Sequence, residues 1–265
     1  MPYQPEMTDA GLSPIHAVTA LDELGQVRAV QVAGEAPLTL FVDERKIVTL
    51  MTLGSYPEAL AVGYLRNQHL IKALREIKSV QVNWETETVK VNTGDKKIGS
   101  KAITSGCGQG AVLSISELPA IQLAKVTIKQ SLIYALLRAL AQYNKIHRQA
   151  GGVHACALCQ GVEILAFVED VGRHNAVDAI AGLMWLQDWS SDDKIFYTTG
   201  RLTSEIVMKV AHIGIPVLLS RSGVTHKGIQ IAQEFGIILI AHAKDQRFLV
   251  FNGDVIFDAC PARPR

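Results

Sequence analysis

Cysteine is scarce in this chain. Four residues in 265 (Cys107, Cys156, Cys159 and Cys260) are too few for a disulfide framework, which leaves a reducing compartment, the cytoplasm, as the expected location. Long apolar runs are missing as well. The longest, such as Ile237 to Ala241, have strand length, so no membrane-spanning helix is expected, and the Pro, Gln, Glu and Asp of the first residues do not make a signal peptide. Neither sign of charge prevails: 26 Lys and Arg stand against 25 Asp and Glu, which argues against nucleic acid or an anionic membrane as partner and means that any anion is bound locally. No internal repeat or low-complexity segment stands out. Apolar content is not lacking, because 48% hydrophobic residues suffice for one large core or two ordinary ones.

The scarce cysteine is placed unevenly. Cys107 sits in Ile103-Thr104-Ser105-Gly106-Cys107-Gly108-Gln109-Gly110-Ala111, where three glycines in five residues let the backbone take positive φ cheaply. A thiol on such a pliant loop suits a nucleophile or sulfur carrier, since the reactive thiolate must reach a partner. The alternative, a small apolar residue tucked under a turn, is opposed by the flanking glycines and hydroxyls.

Residues 1 to 13, with two prolines, read as a loose arm. Ile15 to Ala20, Val27 to Ala33, Leu38 to Val42 and Ile47 to Leu50 read as strands joined by turn residues. Leu60, Ala61, Tyr64, Leu65 and Leu70 recur at helical spacing behind Ser55-Tyr56-Pro57, and Val80 to Trp84 with Thr88 to Asn92 form a further hairpin. Thr127-x-x-Gln130 has the form of a capping box, and Leu132, Ile133, Leu136, Leu137, Leu140, Tyr143 and Ile146 mark one face of a long helix. Beyond it, strands at Val162 to Val168, Lys194 to Thr198, Ile215 to Leu219, Ile237 to Ala241 and Phe248 to Phe251 alternate with helices near Asn175 to Leu186, Ser204 to Ile213 and Lys227 to Phe235, the last two ending at Gly214 and Gly236. The expectation is an α/β protein of two domains. A small α+β domain over residues 14–125 ends in the cysteine loop, and a three-layer α/β/α domain spans residues 126–265.

Ligands in alternating α/β folds usually lie beyond the carboxyl ends of the strands. Three strand-to-helix turns fall there: Glu169-Asp170-Val171-Gly172-Arg173-His174-Asn175-Ala176-Val177-Asp178, Thr199-Gly200-Arg201-Leu202-Thr203-Ser204-Glu205, and Ser220-Arg221-Ser222-Gly223-Val224-Thr225-His226-Lys227. Each is able to set backbone N–H groups and a cation around a phosphate at a helix start, so together they point to a nucleotide or pyrophosphate site; three capped helices with solvated charges are the alternative. Lys244-Asp245-Gln246-Arg247 joins the last two strands and adds two cations. His154-Ala155-Cys156-Ala157-Leu158-Cys159 offers a metal or redox set, but no second Cys-x-x-Cys exists and its small apolar spacers favour a buried packing segment. Cys260 reads as incidental.

These motifs together resemble the FdhD family of formate dehydrogenase accessory sulfurtransferases. The likeness runs from about Ala36 to Phe251 and rests on Ser-Gly-Cys107-Gly, Gly151-Gly152-Val153-His154, the specific Glu169 to Asp178 segment, Thr199-Gly200-Arg201, Gly214-Ile215-Pro216 and the Arg247-Phe248 strand. The resemblance implies a cytoplasmic homodimer with a cytidine-deaminase-like C-terminal domain. It would accept persulfide sulfur from a cysteine desulfurase on Cys107 and deliver it to the molybdenum bis(molybdopterin guanine dinucleotide) cofactor that formate dehydrogenase needs. Position by position it implies cofactor binding by His242, Ala243, Lys244, Asp245, Gln246 and Arg247. Arg173, His174 and Arg201, from the strand-to-helix turns, join them as candidates for that site. The chain departs from the family where a second loop cysteine is common and Gly110 stands, where Asn67-Gln68-His69 replaces a Ser-Glu-Gly run, and where Cys156 and Cys159 replace small residues. Two rival readings are kept: a chaperone that holds the cofactor without moving sulfur, and a zinc hydrolase built on His154, Cys156 and Cys159 with Glu169 as proton shuttle.

Overall fold

The computed structural model describes residues 3–94 and 123–258, so Cys107 with its glycine-rich run, and Cys260, lie outside the described residues. Before that run the chain forms β1 (Glu6–Met7), β2 (Ile15–Leu21), β3 (Val27–Ala33), β4 (Ala36–Val42), β5 (Arg45–Thr52), α1 (Pro57–Asn67), β6 (Ser79–Asn83) and β7 (Thr88–Asn92). After it come β8 (Ile128–Lys129), α2 (Gln130–Leu140), α3 (Lys145–Ala150), β9 (His154–Gln160), β10 (Glu163–Asp170), α4 (Arg173–Leu186) and β11 (Lys194–Thr198). The chain continues with α5 (Ser204–Ile213), β12 (Val217–Ser220), α6 (His226–Phe235), β13 (Ile238–Lys244), β14 (Arg247–Asn252) and β15 (Val255–Ile256). Two compact units interleave along it. Of the described residues, 3–94, 144–156 and 166–189 make the first, and 123–143, 157–165 and 190–258 the second.

In the first unit, alternation in β4 buries Leu38, Leu40 and Val42, and the same period in β6 and β7 buries Val80, Val82, Val89 and Val91. Each such side chain contributes about 1.5–3 kcal/mol. These strands join a five-stranded mixed sheet in the order β1-β6-β7-β4-β5, with α1 against β6 and β7. Helix α1 begins at Pro57, as its sequence predicts, and crosses α4 with almost no separation: a Cβ at Gly63 would lie 1.7 Å from the Asp178 carbonyl oxygen, and one at Gly182 would lie 1.9 Å from that of Ala59. Only glycine permits that approach. Strands β2 and β3 form a separate two-stranded sheet.

A six-stranded sheet runs β10-β9-β11-β12-β13-β14, of which β11 to β14 lie wholly in the second unit. Strands β11, β12 and β13 are parallel and buried over nearly their whole length, as their continuous apolar sequences require. Helices α5 and α6 cross between them and pack together, each closed by a glycine in the left-handed region, Gly214 at φ 90° and Gly236 at φ 72°. Strand β14 returns antiparallel through the Lys244-to-Arg247 turn.

The stretch around residues 127–146 folds differently from its sequence pattern. The Thr127–Gln130 capping box is not made: Lys129 precedes the first helical residue, no side chain caps the helix, and Ile128 and Lys129 pair instead with Val255 and Ile256. Nor is there one long helix. Chain turns after Leu140 divide the periodic residues between α2 and α3, because residue 144 is where the chain passes from the second unit to the first. The His154-to-Cys159 segment, expected only to be buried, is strand β9 with Ala155 to Cys159 all buried.

Candidate functional site

The Glu169-to-Asp178 segment lies in the first unit at the end of β10 and the start of α4, and four of its polar side chains are spent on holding the backbone in place. Glu169, 6% exposed, accepts the Ile146 and His147 N–H groups at 3.0 and 2.9 Å and so satisfies the orphan donors at the start of α3. Asp170, 5% exposed, accepts four bonds: from the Thr52 hydroxyl (2.5 Å) and the Leu53 N–H (3.1 Å) at the end of β5, and from Gly172 N–H (2.8 Å) and the Asn175 amide (2.9 Å). Burial pushes its carboxyl above the ordinary range, opposed by those same bonds. Asn175 donates also to the Met51 carbonyl at 2.7 Å, and Asp178 accepts the Asn67 amide at 2.7 Å. A carboxylate therefore already sits where an anion at the start of α4 would bind. Gly172 is small because a Cβ there would lie 2.8 Å from the Asn175 amide nitrogen. Arg173 and His174 stay half-buried at the helix start, and the Arg173 Nε is enclosed with no hydrogen-bond partner.

The other candidate residues belong to the second unit, at the carboxyl edge of β11, β12 and β13. Three loops are stitched together there. Leu202 N–H donates to the Gly223 carbonyl (2.9 Å), Thr225 N–H to the Leu202 carbonyl (3.1 Å), and His242 N–H to the Ser222 carbonyl (2.9 Å). The buried hydroxyls serve the same loops: Thr198 Oγ1 accepts the Gly200 N–H, while Ser220 Oγ donates to the Gly200 carbonyl and accepts the Ser222 N–H. Thr225 Oγ1 caps α6 by accepting the Gly228 N–H at 3.1 Å. Helix α5 has no side-chain cap; the Thr203 hydroxyl is enclosed without a partner, and Glu205 supplies negative charge in its first turn.

His242 has φ of 53°, in a register shift of β13 between Ala241 and Lys244. The bulge lays its ring against Gly223, where an added Cβ would be 3.2 Å from the imidazole Cε1. Around that bulge the sequence-predicted residues separate by exposure: His242, Lys244, Asp245, Gln246 and Arg247 are exposed and Ala243 is buried. Arg201 and Arg221 on the neighbouring loops and Lys227 in the first turn of α6 are exposed, and with Lys244 and Arg247 they form no ion pair among the described residues. Five cations on one sheet edge, offset by Asp245 and Glu205, make a local positive field of the kind that attracts a polyanion. Sequence reasoning found the cations and missed Thr52, Leu53 and Met51, whose bonds to Asp170 and Asn175 join residues more than a hundred positions apart and leave no local pattern.

The two described cysteines are unfit for exchange. Cys156 and Cys159 form no disulfide among the described residues and are both 0% exposed, and burial pushes the Cys159 thiol up to about 12. Three residues apart on one strand, they point to opposite faces and do not converge on one metal ion.

Comparison with known proteins matches residues 33–255 to the model of the FdhD/NarQ family. A sulfur carrier protein FdhD from Listeria monocytogenes is 33% identical over 236 residues, covering 84% of this chain and 89% of its own. The sulfur carrier protein FdhD of Bacillus subtilis is 31% identical over 243 residues, covering 87% and 92%. Among solved structures, a Desulfotalea psychrophila protein described as a formate dehydrogenase accessory protein superposes with a TM-score of 0.73 at 28% identity, covering 90% of this chain and 96% of its own. With the match extending from the end of β3 to β15, and thus over both compact units, this chain belongs to the FdhD/NarQ family.

Proposed function

We propose that this chain is a sulfur carrier that takes persulfide sulfur from a cysteine desulfurase onto Cys107 and passes it to the molybdenum bis(molybdopterin guanine dinucleotide) cofactor destined for formate dehydrogenase, acting as a cytoplasmic sulfurtransferase and homodimer. The observation that carries the reading is the family match over residues 33–255, with curated relatives named sulfur carriers and Cys107 inside the matched span. The other two cysteines in that span, Cys156 and Cys159, are buried in β9, so no described thiol offers a substitute.

In the loading step the Cys107 thiolate attacks the outer sulfur of the donor persulfide. The donor S–S bond breaks, the desulfurase thiolate leaves, and Cys107 holds a persulfide. In delivery the S–S bond breaks, Cys107 returns as a thiolate, and the outer sulfur, formally a neutral atom, passes to the molybdenum substrate, which would supply the two electrons that make it sulfide and be oxidised by two electrons. His242 to Arg247 with Arg201 are assigned to the guanine dinucleotide end of that substrate, the exposed cations neutralising phosphate charge.

A cofactor-holding chaperone is the second reading, favoured by Gly110 at the loop position where the family resemblance implies another cysteine. Complementation separates the two. In a cell lacking the native carrier, the parent restores formate dehydrogenase activity and Cys107→Ala does not; restoration by Cys107→Ala would replace the carrier reading with the chaperone.

A further inference from the structure

A persulfide holds its outer sulfur at the oxidation level of the element, whereas a sulfide ligand on a metal is two electrons more reduced, so sulfur delivery needs an electron pair. In proteins a second thiol can supply it, by attacking the carrier cysteine, closing a disulfide and releasing sulfide. The described cysteines offer no such couple. Cys156 and Cys159 stand three residues apart on β9, which sets their Cα atoms about 10 Å apart and their side chains on opposite faces, while a disulfide spans no more than about 7 Å. Nor is β9 an edge strand. It lies between β10 and β11 in the six-stranded sheet, and Ala155, Ala157 and Leu158 are buried together with the two thiols. Burial pushes the Cys159 thiol up to about 12, so it supplies no thiolate near neutral pH. Beside Cys107 itself, Gly110 stands at the loop position where the family resemblance implies another cysteine.

We infer that sulfur delivery follows a two-electron reduction of the molybdenum substrate, which arrives as molybdenum(IV) and leaves as molybdenum(VI) carrying the sulfur. The inference rests on the carrier reading and sets the order of events for that same step. The electron pair of the reduced metal forms the new bond to the outer sulfur. The bond between that sulfur and Cys107 Sγ breaks with its pair going to Sγ, and the persulfide proton passes to water. Sulfur gains two electrons, molybdenum loses two, and Cys107 returns as a thiolate able to load again without a reductant. A small thiol from solution is the other source of electrons, but it frees sulfide, and a sulfide ion in water no longer depends on the thiol that carried it. The reaction that supplies the substrate is therefore a reduction of the metal. The reaction that consumes the product is one that begins from the oxidised metal, as a two-electron oxidation of formate does.

The test loads a Cys260→Ala carrier with persulfide and frees it of desulfurase and small thiols. The carrier is mixed anaerobically with molybdenum bis(molybdopterin guanine dinucleotide) that is either left oxidised or reduced with dithionite and desalted. Intact mass follows the sulfur on Cys107, X-ray absorption at the molybdenum edge follows the new metal–sulfur bond, and a colorimetric assay follows free sulfide. The reduced substrate is expected to take the sulfur about tenfold faster or more than the oxidised one, with no free sulfide and with Cys107 recovered as a thiol. Replacing both β9 thiols, Cys156→Ala with Cys159→Ala, is expected to leave that rate unchanged. Three results each overturn the inference while leaving Cys107 as the carrier: equal transfer to both forms, transfer that needs an added thiol and passes through free sulfide, or a slower rate in the β9 variant at unchanged circular dichroism. A persulfide that stays on Cys107 with both forms overturns the delivery reading itself, and the inference with it.

Discussion

Asp170 concentrates more of the local structure than any other described side chain. It is a buried carboxylate with four donors, and removing the acceptor opposite the Leu53 N–H leaves that buried group unpaired. Asp170→Asn is expected to cost about 1–3 kcal/mol of unfolding free energy, read by urea denaturation. The sign of its pH dependence follows from burial. With the folded-state pKa raised above the ordinary 3.8, the folded protein binds more protons in the window between the two values, so the contribution of Asp170 falls as pH rises through that window. The stability gap between parent and Asp170→Asn is therefore expected to narrow as pH rises from about 4. At the same scale, Cys156 and Cys159 are expected to be silent to a thiol reagent at pH 8 in the folded Cys107→Ala, Cys260→Ala protein and to give two equivalents once denatured; native labelling would show that β9 opens readily.

Between elements, the α1–α4 crossing leaves no room for a side chain at Gly63. Gly63→Ala must push the two helices apart, and the expected outcome is a loss of about 3 kcal/mol or more, or failure to accumulate folded protein. At the other site, paired Lys244→Ala and Arg247→Ala changes are expected to weaken binding of a guanosine diphosphate probe at least tenfold in calorimetry while leaving the melting temperature alone, since both side chains are exposed. Elements with a single environment were legible from the sequence. Strand β11, with Ile195, Phe196 and Tyr197 at its centre, and the αL caps at Gly214 and Gly236 fall where the pattern sets them. The helix expected through Ile146 was misread because its apolar spacing runs unbroken across residue 144, where the chain changes unit and Glu169 starts a new helix from far along the sequence. The polar residues of the Glu169-to-Asp178 segment were visible as a cluster, yet which of them hold the backbone depends on Met51, Thr52 and Leu53, which a linear reading does not bring near.

For the molecule as a whole, the family match, the buried state of the two β9 thiols and the cation-lined edge of the second unit support the proposed carrier, which would use Cys107 and an anionic substrate. Cys107 keeps its proposed role if the substrate is held in a different orientation, and no described thiol replaces it. The deciding measurement is the intact mass of the protein after incubation with a cysteine desulfurase and cysteine. The parent is expected to gain about 32 Da, one sulfur atom, reversed by a reducing thiol, while Cys107→Ala gains none. Equal sulfur uptake by Cys107→Ala, or none by the parent, would contradict the carrier role of Cys107.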